Sequence, residues 1–239
     1  MGGLKRVLGI LVLGGIVSIG WAAQEPQSPQ ESPEIRTLAV LDFENNSLKD
    51  KTEMDPLCRG LSDMFITELS KVQKFQIVER ANLQKILDEM KLGQSGMIES
   101  TAAQEVGKML GAQNLILGSF MMMLDGKLRI DARLVEVESG KTLMAEEETG
   151  SPSDLSRMVN NLVGKNIRSM NVKLSGAENQ ALRESDNKSF EAALLFARGL
   201  DYEEKGNMAE ARRCYLQALK LSPKFRRARA RLQALRKGN

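Results

Sequence analysis

The sequence predicts an α/β fold, with helices packed on a mixed, partly antiparallel sheet, followed by a small all-α module. Three observations predict it. Apolar runs at 38–43 and 115–123 read as buried strands set among stretches of helical spacing. Asp125-Gly126 is a hairpin turn that leads into strict alternation, with Leu128, Ile130, Ala132 and Leu134 on one side and Lys127, Arg129, Asp131 and Arg133 on the other. Beyond residue 188 the pattern is helical throughout and no strand signal returns.

Taken in order, Lys5 and Arg6 precede an apolar run at 7–19 and the small residues Gly20 and Ala22, the charged, apolar and small-residue series of a secretory signal. The run is shorter than the roughly 20 residues that span a bilayer. The reading is a signal peptide over 1–22, cut after Ala22, with a retained anchor as the alternative. No cysteine follows the run to take a lipid. Cleavage removes Lys5 and Arg6 and lowers the formal charge from +3 to +1.

Residues 23–34, rich in Gln, Glu, Ser and Pro, read as a disordered linker. A strand follows at 36–43, then a polar loop at 44–56 with Asn45, Asn46 and Ser47. Asp55 and Pro56 start a helix that carries Leu57, Leu61, Met64, Phe65, Leu69 and Val72 on one face. A short strand at 75–78 precedes a helix capped by Asn82, with Leu83, Ile86, Leu87 and Met90 inward. Gly93 and Gly96 break the chain, and a helix at 100–110 ends at Gly111. Three strands then run to about residue 149, the second turn lying at 138–141. A helix at 151–170 turns Leu155, Met158, Val159, Leu162 and Ile167 inward. The α/β domain thus spans 35–171, and the polar stretch 172–188 reads as a linker.

Histidine is absent, which removes the commonest general base and metal ligand. Cys58 and Cys214 lie on the inner pattern of two predicted helices and read as independent thiols, with a disulfide as the alternative. There is no nucleophile elbow or phosphate loop, and Gly93-Gln94-Ser95-Gly96 follows a helix where a nucleotide cradle needs a strand. Glu79-Arg80 and Asp88-Glu89 form a charged cluster, but Arg80 is placed to pair with or cap a neighbour, and Asp88 and Glu89 fall on the solvated side of their helix. The expectation is no enzymatic activity, no metal and no cofactor.

Between 189 and 238 the spacing of Leu195, Gly199, Tyr202, Gly206, Ala211, Tyr215, Ala218 and Pro223 matches a tetratricopeptide repeat plus a capping helix, with Arg198 where a Leu is usual. Small residues let two antiparallel helices close, and Tyr202 and Tyr215 are expected to fill the space between them. The capping helix carries Arg226, Arg227, Arg229 and Arg231 and no acidic residue. That is either a solvated face or a patch for anionic headgroups or an acidic partner. These four arginines and the loop residues Asn45, Asn46 and Ser47 are the candidate partner-binding positions.

The segments LAVLDFENNS, LSDMFITELSK, FQIVERANLQKILDEMKLGQSG, GAQNLILGS and LRIDARLVEVESGKTL, in this order, resemble the CsgG family of curli assembly and transport proteins. The resemblance implies a non-enzymatic periplasmic domain working at the outer membrane, related in fold to the N-terminal domain of the Tol-system propeller protein. The family's pore-forming member has a lipidated cysteine, long inserted hairpins and an aromatic-bearing loop after the first strand. Here the hairpin turns are tight and the loop at 44–56 has no aromatic residue, so no pore residue can be carried over. The expected role is an adaptor or accessory factor in assembly or secretion. The alternatives are a regulator of a peptidoglycan synthase or a subunit of an oligomeric outer-membrane secretion complex. Protein partners in the cell envelope are expected. Self-association and peripheral membrane contact are compatible with the sequence, and nucleic acid is not expected.

Overall fold

The computed structural model describes residues 35–90, 100–183 and 189–237. The signal and linker readings for 1–34, the glycine break at 93–96 and residues 184–188 of the second linker lie outside them.

Strands β1 (Arg36–Val40), β3 (Phe75–Ile77), β4 (Asn114–Met122), β5 (Leu128–Glu136) and β6 (Thr142–Gly150) form a sheet in the order β3-β1-β4-β5-β6. The first three are mutually parallel, and β4, β5 and β6 pair antiparallel. A two-residue strand, β2 (Glu44–Asn45), continues the line of β1 and pairs parallel with Ser119 and Phe120 of β4. The predicted mixed sheet is therefore present, and the hairpin alternation holds: Leu128, Ile130, Ala132 and Leu134 are all buried. The β4–β5 loop has three residues where two were expected, because Met123 pairs with Lys127 and Gly126 takes a positive φ of 82°.

Helices cover both faces. On one side α2 (Leu57–Leu69) and α5 (Leu155–Ser169) bury Leu61, Phe65, Met158 and Leu162 against Val40, Ile116, Phe120 and Ile130. On the other, α3 (Arg80–Glu89) and α4 (Ser100–Met109) bury Leu83, Leu87, Ala103 and Val106 against Ala39, Leu115, Leu117 and Val135. That second cover stops short of the far ends of β4, β5 and β6, so Arg129, Asp131 and Arg133 stay at the surface. A four-residue helix, α1 (Lys51–Met54), lies in the predicted polar loop. At the centre of the sheet Gly118 leaves room for the Phe43 ring; a Cβ there would run into that ring and lie 2.7 Å from the Asp131 carbonyl oxygen. Gly118→Ala should cost about 2 kcal/mol in urea unfolding, as an overpacked core.

The stretch read as a linker at 172–188 contains a helix, α6 (Gly176–Arg183). Its start is a reciprocal cap: the Glu178 carboxylate accepts from the Ser175 amide at 2.7 Å, and Ser175 Oγ accepts from the Glu178 amide at 3.3 Å. Lys71, just past α2, donates to the Ala181 carbonyl and Asn160 to the Leu182 carbonyl, which ties α6 to the turn after α2 and to α5.

The C-terminal module is α7 (Phe190–Glu204), α8 (Met208–Leu221) and α9 (Arg226–Lys237). Its core holds Ala192, Phe196, Leu200, Ala211, Tyr215, Ala218, Phe225, Ala228 and Leu232. Gly199 lies under the Tyr215 ring, where a Cβ would collide with it, so the small-residue reading holds. Tyr202 departs from it: the side chain is 37% exposed and only Tyr215 fills the inter-helix space. Residues 33–239 form one compact unit.

Candidate partner-docking surfaces

The C-terminal module is built into the α/β domain through α2 and α7. Gly60 on α2 faces Ala197 on α7, and a Cβ on the glycine would come within 2.7 Å of the alanine Cβ, so the two helices approach to backbone distance. Ala193 and Ala197 belong to the core of the α/β domain, whereas Ala192, Phe196 and Leu200 of the same helix belong to the core of the repeat. One helix thus serves two cores.

A network of charged groups rims this contact. Asp42, at the end of the first strand's apolar run, is buried and accepts from both ends of the Arg80 guanidinium, at 2.6 and 2.7 Å, and from Ser62 Oγ at 2.7 Å. Burial opposes the charge on Arg80, but the bidentate hydrogen bond to Asp42 outweighs it and holds the guanidinium more firmly protonated than usual. Arg80 also reaches Glu204 at 3.7 Å. Arg59 donates to Glu204 and to the Leu200 carbonyl, each at 2.7 Å, at the carbonyl end of α7. Arg80 therefore pairs with a neighbour, as its position predicted; its partner could not be read from the sequence.

The four arginines of the capping helix do not act together. Arg227 turns inward, its guanidinium 5.4 Å from the Phe196 ring centre and 5.2 Å from that of Phe225, and reaches Asp63 of α2 at 3.4 Å. Arg231 reaches Asp63 at 3.6 Å and Glu203 at 3.4 Å. Glu203 also accepts from Tyr215 Oη at 2.6 Å; burial and that carboxylate together push the phenol above its ordinary range. Two of the proposed binding arginines are thus clasps between the modules, and only Arg226 and Arg229 are exposed. Between α2, the β3–α3 corner and Arg231 a groove of about 270 Å³ remains.

The loop residues are corrected in the same way. Asn45 and Ser47 are each 6% exposed. Asn45 Nδ2 donates to the Lys51 carbonyl and to Asp55, its Oδ1 accepts from the Ser47 amide, and Ser47 Oγ accepts from the Met122 amide. They tie the loop to β4, which is what short polar side chains beside a turn do. Asn46 alone keeps access. It lines a trough of about 540 Å³ on the uncovered sheet face with Ser119, Arg129, Asp131, Arg133 and Glu147. Here Arg129 donates to Asp131 at 2.7 Å and pairs with Glu147. A larger groove, about 880 Å³, runs along α5 and α6. Its Lys165 bridges Glu146 and Glu148 at 3.0 and 3.1 Å, and Arg157 pairs with Asp154 at 3.0 Å.

The two cysteines are free. Burial first, then the nearby Asp55, Asp42 and Asp201, pushes the Cys58 thiol up to about 12. Asp201 on α7 is pushed up to about 6, by burial first; Lys205 and Arg59 oppose the shift, and Glu204 and Asp42 add to it. A carboxylic acid whose folded value lies above the ordinary 3.8 loses stability when it ionises. Asp201→Asn should therefore raise the melting temperature at pH 7.5. The gain should shrink as pH falls through 6 and vanish near pH 4, which thermal melts across that range would read. Among the described residues no group of three or more Cys, Asp or Glu side chains could hold a metal ion, and no helix is long and apolar enough to cross a membrane.

Residues 20–123 match the family model of the curli production assembly/transport component CsgG, and residues 192–225 match that of the tetratricopeptide repeat. The two matches fall in the order the sequence predicted, a CsgG-like segment followed by one tetratricopeptide repeat. No curated protein matches it. Among solved structures, it is similar to the LpoB C-terminal domain from Escherichia coli, at 14% identity and a TM-score of 0.39, over 51% of this chain and 86% of that one. A lipoprotein from Neisseria meningitidis aligns at 15% identity and a TM-score of 0.40, over 58% and 99% of the two chains. TolB from Acinetobacter baumannii aligns at 11% identity and a TM-score of 0.39, over 57% of this chain and 28% of that one.

Proposed function

We propose that this chain is a non-enzymatic accessory protein of the cell envelope, exported to the periplasm, that acts as an adaptor in assembly or secretion at the outer membrane. The match to a curli assembly and transport family supports the setting, and the tetratricopeptide repeat supports a role in binding other proteins. The observation that carries the adaptor reading is the shared helix α7, which contributes to the cores of both modules and joins them into one scaffold. Because α2 and the Asp63 clasp occupy the α7–α9 side of the repeat, a partner has to read other surfaces. The polar trough around Asn46, Arg129 and Arg133 on the open sheet face is the one we assign to it.

Chemistry is a poor alternative for the groups present. The buried Asp42 carboxylate is taken up by Arg80 and Ser62, and the Cys58 thiol is far from ionising at neutral pH. There is no histidine to act as a base.

The test is photo-crosslinking in envelope extracts, with a photoreactive residue at Asn46 or Arg133 of the full chain. The adaptor reading expects one discrete protein adduct from both positions, lost on competition with unlabelled protein. Absence of a competable adduct from either position would remove the trough as a docking site. Deleting residues 189–239 is the wrong control, because it strips Ala193 and Ala197 from the core of the α/β domain.

A further inference from the structure

The corner between α8 and α9 brings together exposed cations and exposed leucines. From Arg212 to Arg236 the chain carries nine Lys or Arg residues and no Asp or Glu, while the whole chain has a formal charge of only +3. The cations of this segment therefore stand against a net acidic remainder, which gives the molecule one strongly positive end. Arg227 and Arg231 are engaged with Asp63 and do not contribute a free surface. The others sort by helical position. On α8, Ala211, Cys214, Tyr215 and Ala218 face the core, which turns Leu216 and Lys220 outward. On α9, Ala228 and Leu232 face the core and leave Arg226 and Arg229 outside. Arg229 also donates to the Pro223 carbonyl at 2.6 Å, which folds it back over the turn. Lys220, Lys224, Arg226 and Arg229 are thus exposed on either side of Leu221 along the chain; Leu221 is itself 46% exposed, and Leu216, 41% exposed, lies five residues earlier on α8.

We propose that this corner attaches the protein peripherally to an anionic phospholipid bilayer, with the four cations on headgroup phosphates and Leu221 in the interfacial layer. Charge complementarity selects an anionic occupant, and the exposed leucines favour a bilayer over an acidic protein chain. An acidic peptide would answer the cations and leave the leucines in water. A membrane interface takes both, because the long cationic side chains reach the phosphates while Leu221 enters the acyl boundary. The attraction should weaken as salt rises, since exposed charges are screened over about 8 Å at physiological ionic strength. The inference rests on this surface alone and is independent of the trough: a chain that fails to bind vesicles could still be the proposed adaptor.

The experiment is flotation of residues 33–239, the compact unit that contains all three cores, with vesicles of phosphatidylcholine alone or mixed with an equal part of phosphatidylglycerol. The parent should float with the mixed vesicles and not with phosphatidylcholine. The variant Lys220→Ser, Lys224→Ser, Arg226→Ser should lose at least about tenfold in affinity with an unchanged melting curve, since each surface cation contributes several-fold. Leu221→Ser should weaken binding with its salt dependence intact. Equal flotation with both vesicle types, or a triple variant that binds like the parent, overturns the proposal. So does a parent that ignores vesicles but is held by poly-glutamate, which would assign the corner to acidic protein.

Discussion

Asp42→Ala should destabilise the protein by about 3–5 kcal/mol, because it strands the Arg80 guanidinium and Ser62 in a site built around one carboxylate. The Arg80 side chain is 25% exposed, so water can reach part of the stranded charge and the lower end of that range is expected. Arg80→Met removes the other partner and leaves a buried carboxylate with only Ser62. The double variant should cost much less than the two single changes added together, the behaviour of groups that act as a pair. Chemical denaturation of the four proteins reads the coupling directly. Additive costs would mean that Asp42 and Arg80 stabilise the fold through other neighbours.

Ala197→Leu should cost about 3 kcal/mol, because the added atoms meet the backbone of α2 at Gly60, where no side chain can move aside. The damage should appear in both modules. The helix that must retreat also carries Phe196 and Leu200 into the repeat's core. The parent should unfold in a single transition and the variant at a lower denaturant concentration, with tryptophan-independent probes on the sheet and on α8 moving together. Two separated transitions in the parent would show that the modules are independent after all. At Ala209, on an exposed stretch of α8, the same change should be nearly neutral.

The strands and long helices were legible because each buries one face at its own period: two for β5, about 3.6 for α2 and α5. The repeat was legible for a related reason, since Gly199, Ala211 and Tyr215 are residue types that close helix packing requires at those positions. What the sequence concealed is of another kind. Helix α6 has little apolar pattern, and its sequence signal, the Ser175–Glu178 capping box, lies inside a stretch as polar as a linker. Asn45 and Ser47 looked like exposed loop residues, because local bonds from a short polar side chain to nearby backbone leave no periodic trace. The division of the capping-helix arginines into clasps and surface groups depends on Asp63 and Glu203, which lie far from them along the chain. Pairing of Asp42 with Arg80 crosses 38 positions and belongs to the same class.

The double burial of α7 also sets the direction in which such a molecule could grow. Tetratricopeptide repeats lengthen by stacking further helix pairs, and each addition needs a free helical flank. On the α7 side that flank is taken by α2, at backbone distance through Gly60 and Ala197. Insertion of a repeat there would have to pry α2 from the sheet. Past α9 no described element stands in the way, and replacing the exposed Arg226, Arg229 and Gln233 by apolar residues would prepare a seat for the next pair. Longer relatives of this architecture should therefore carry their extra repeats after the position of α9, with the arginine-rich flank displaced to the new last helix.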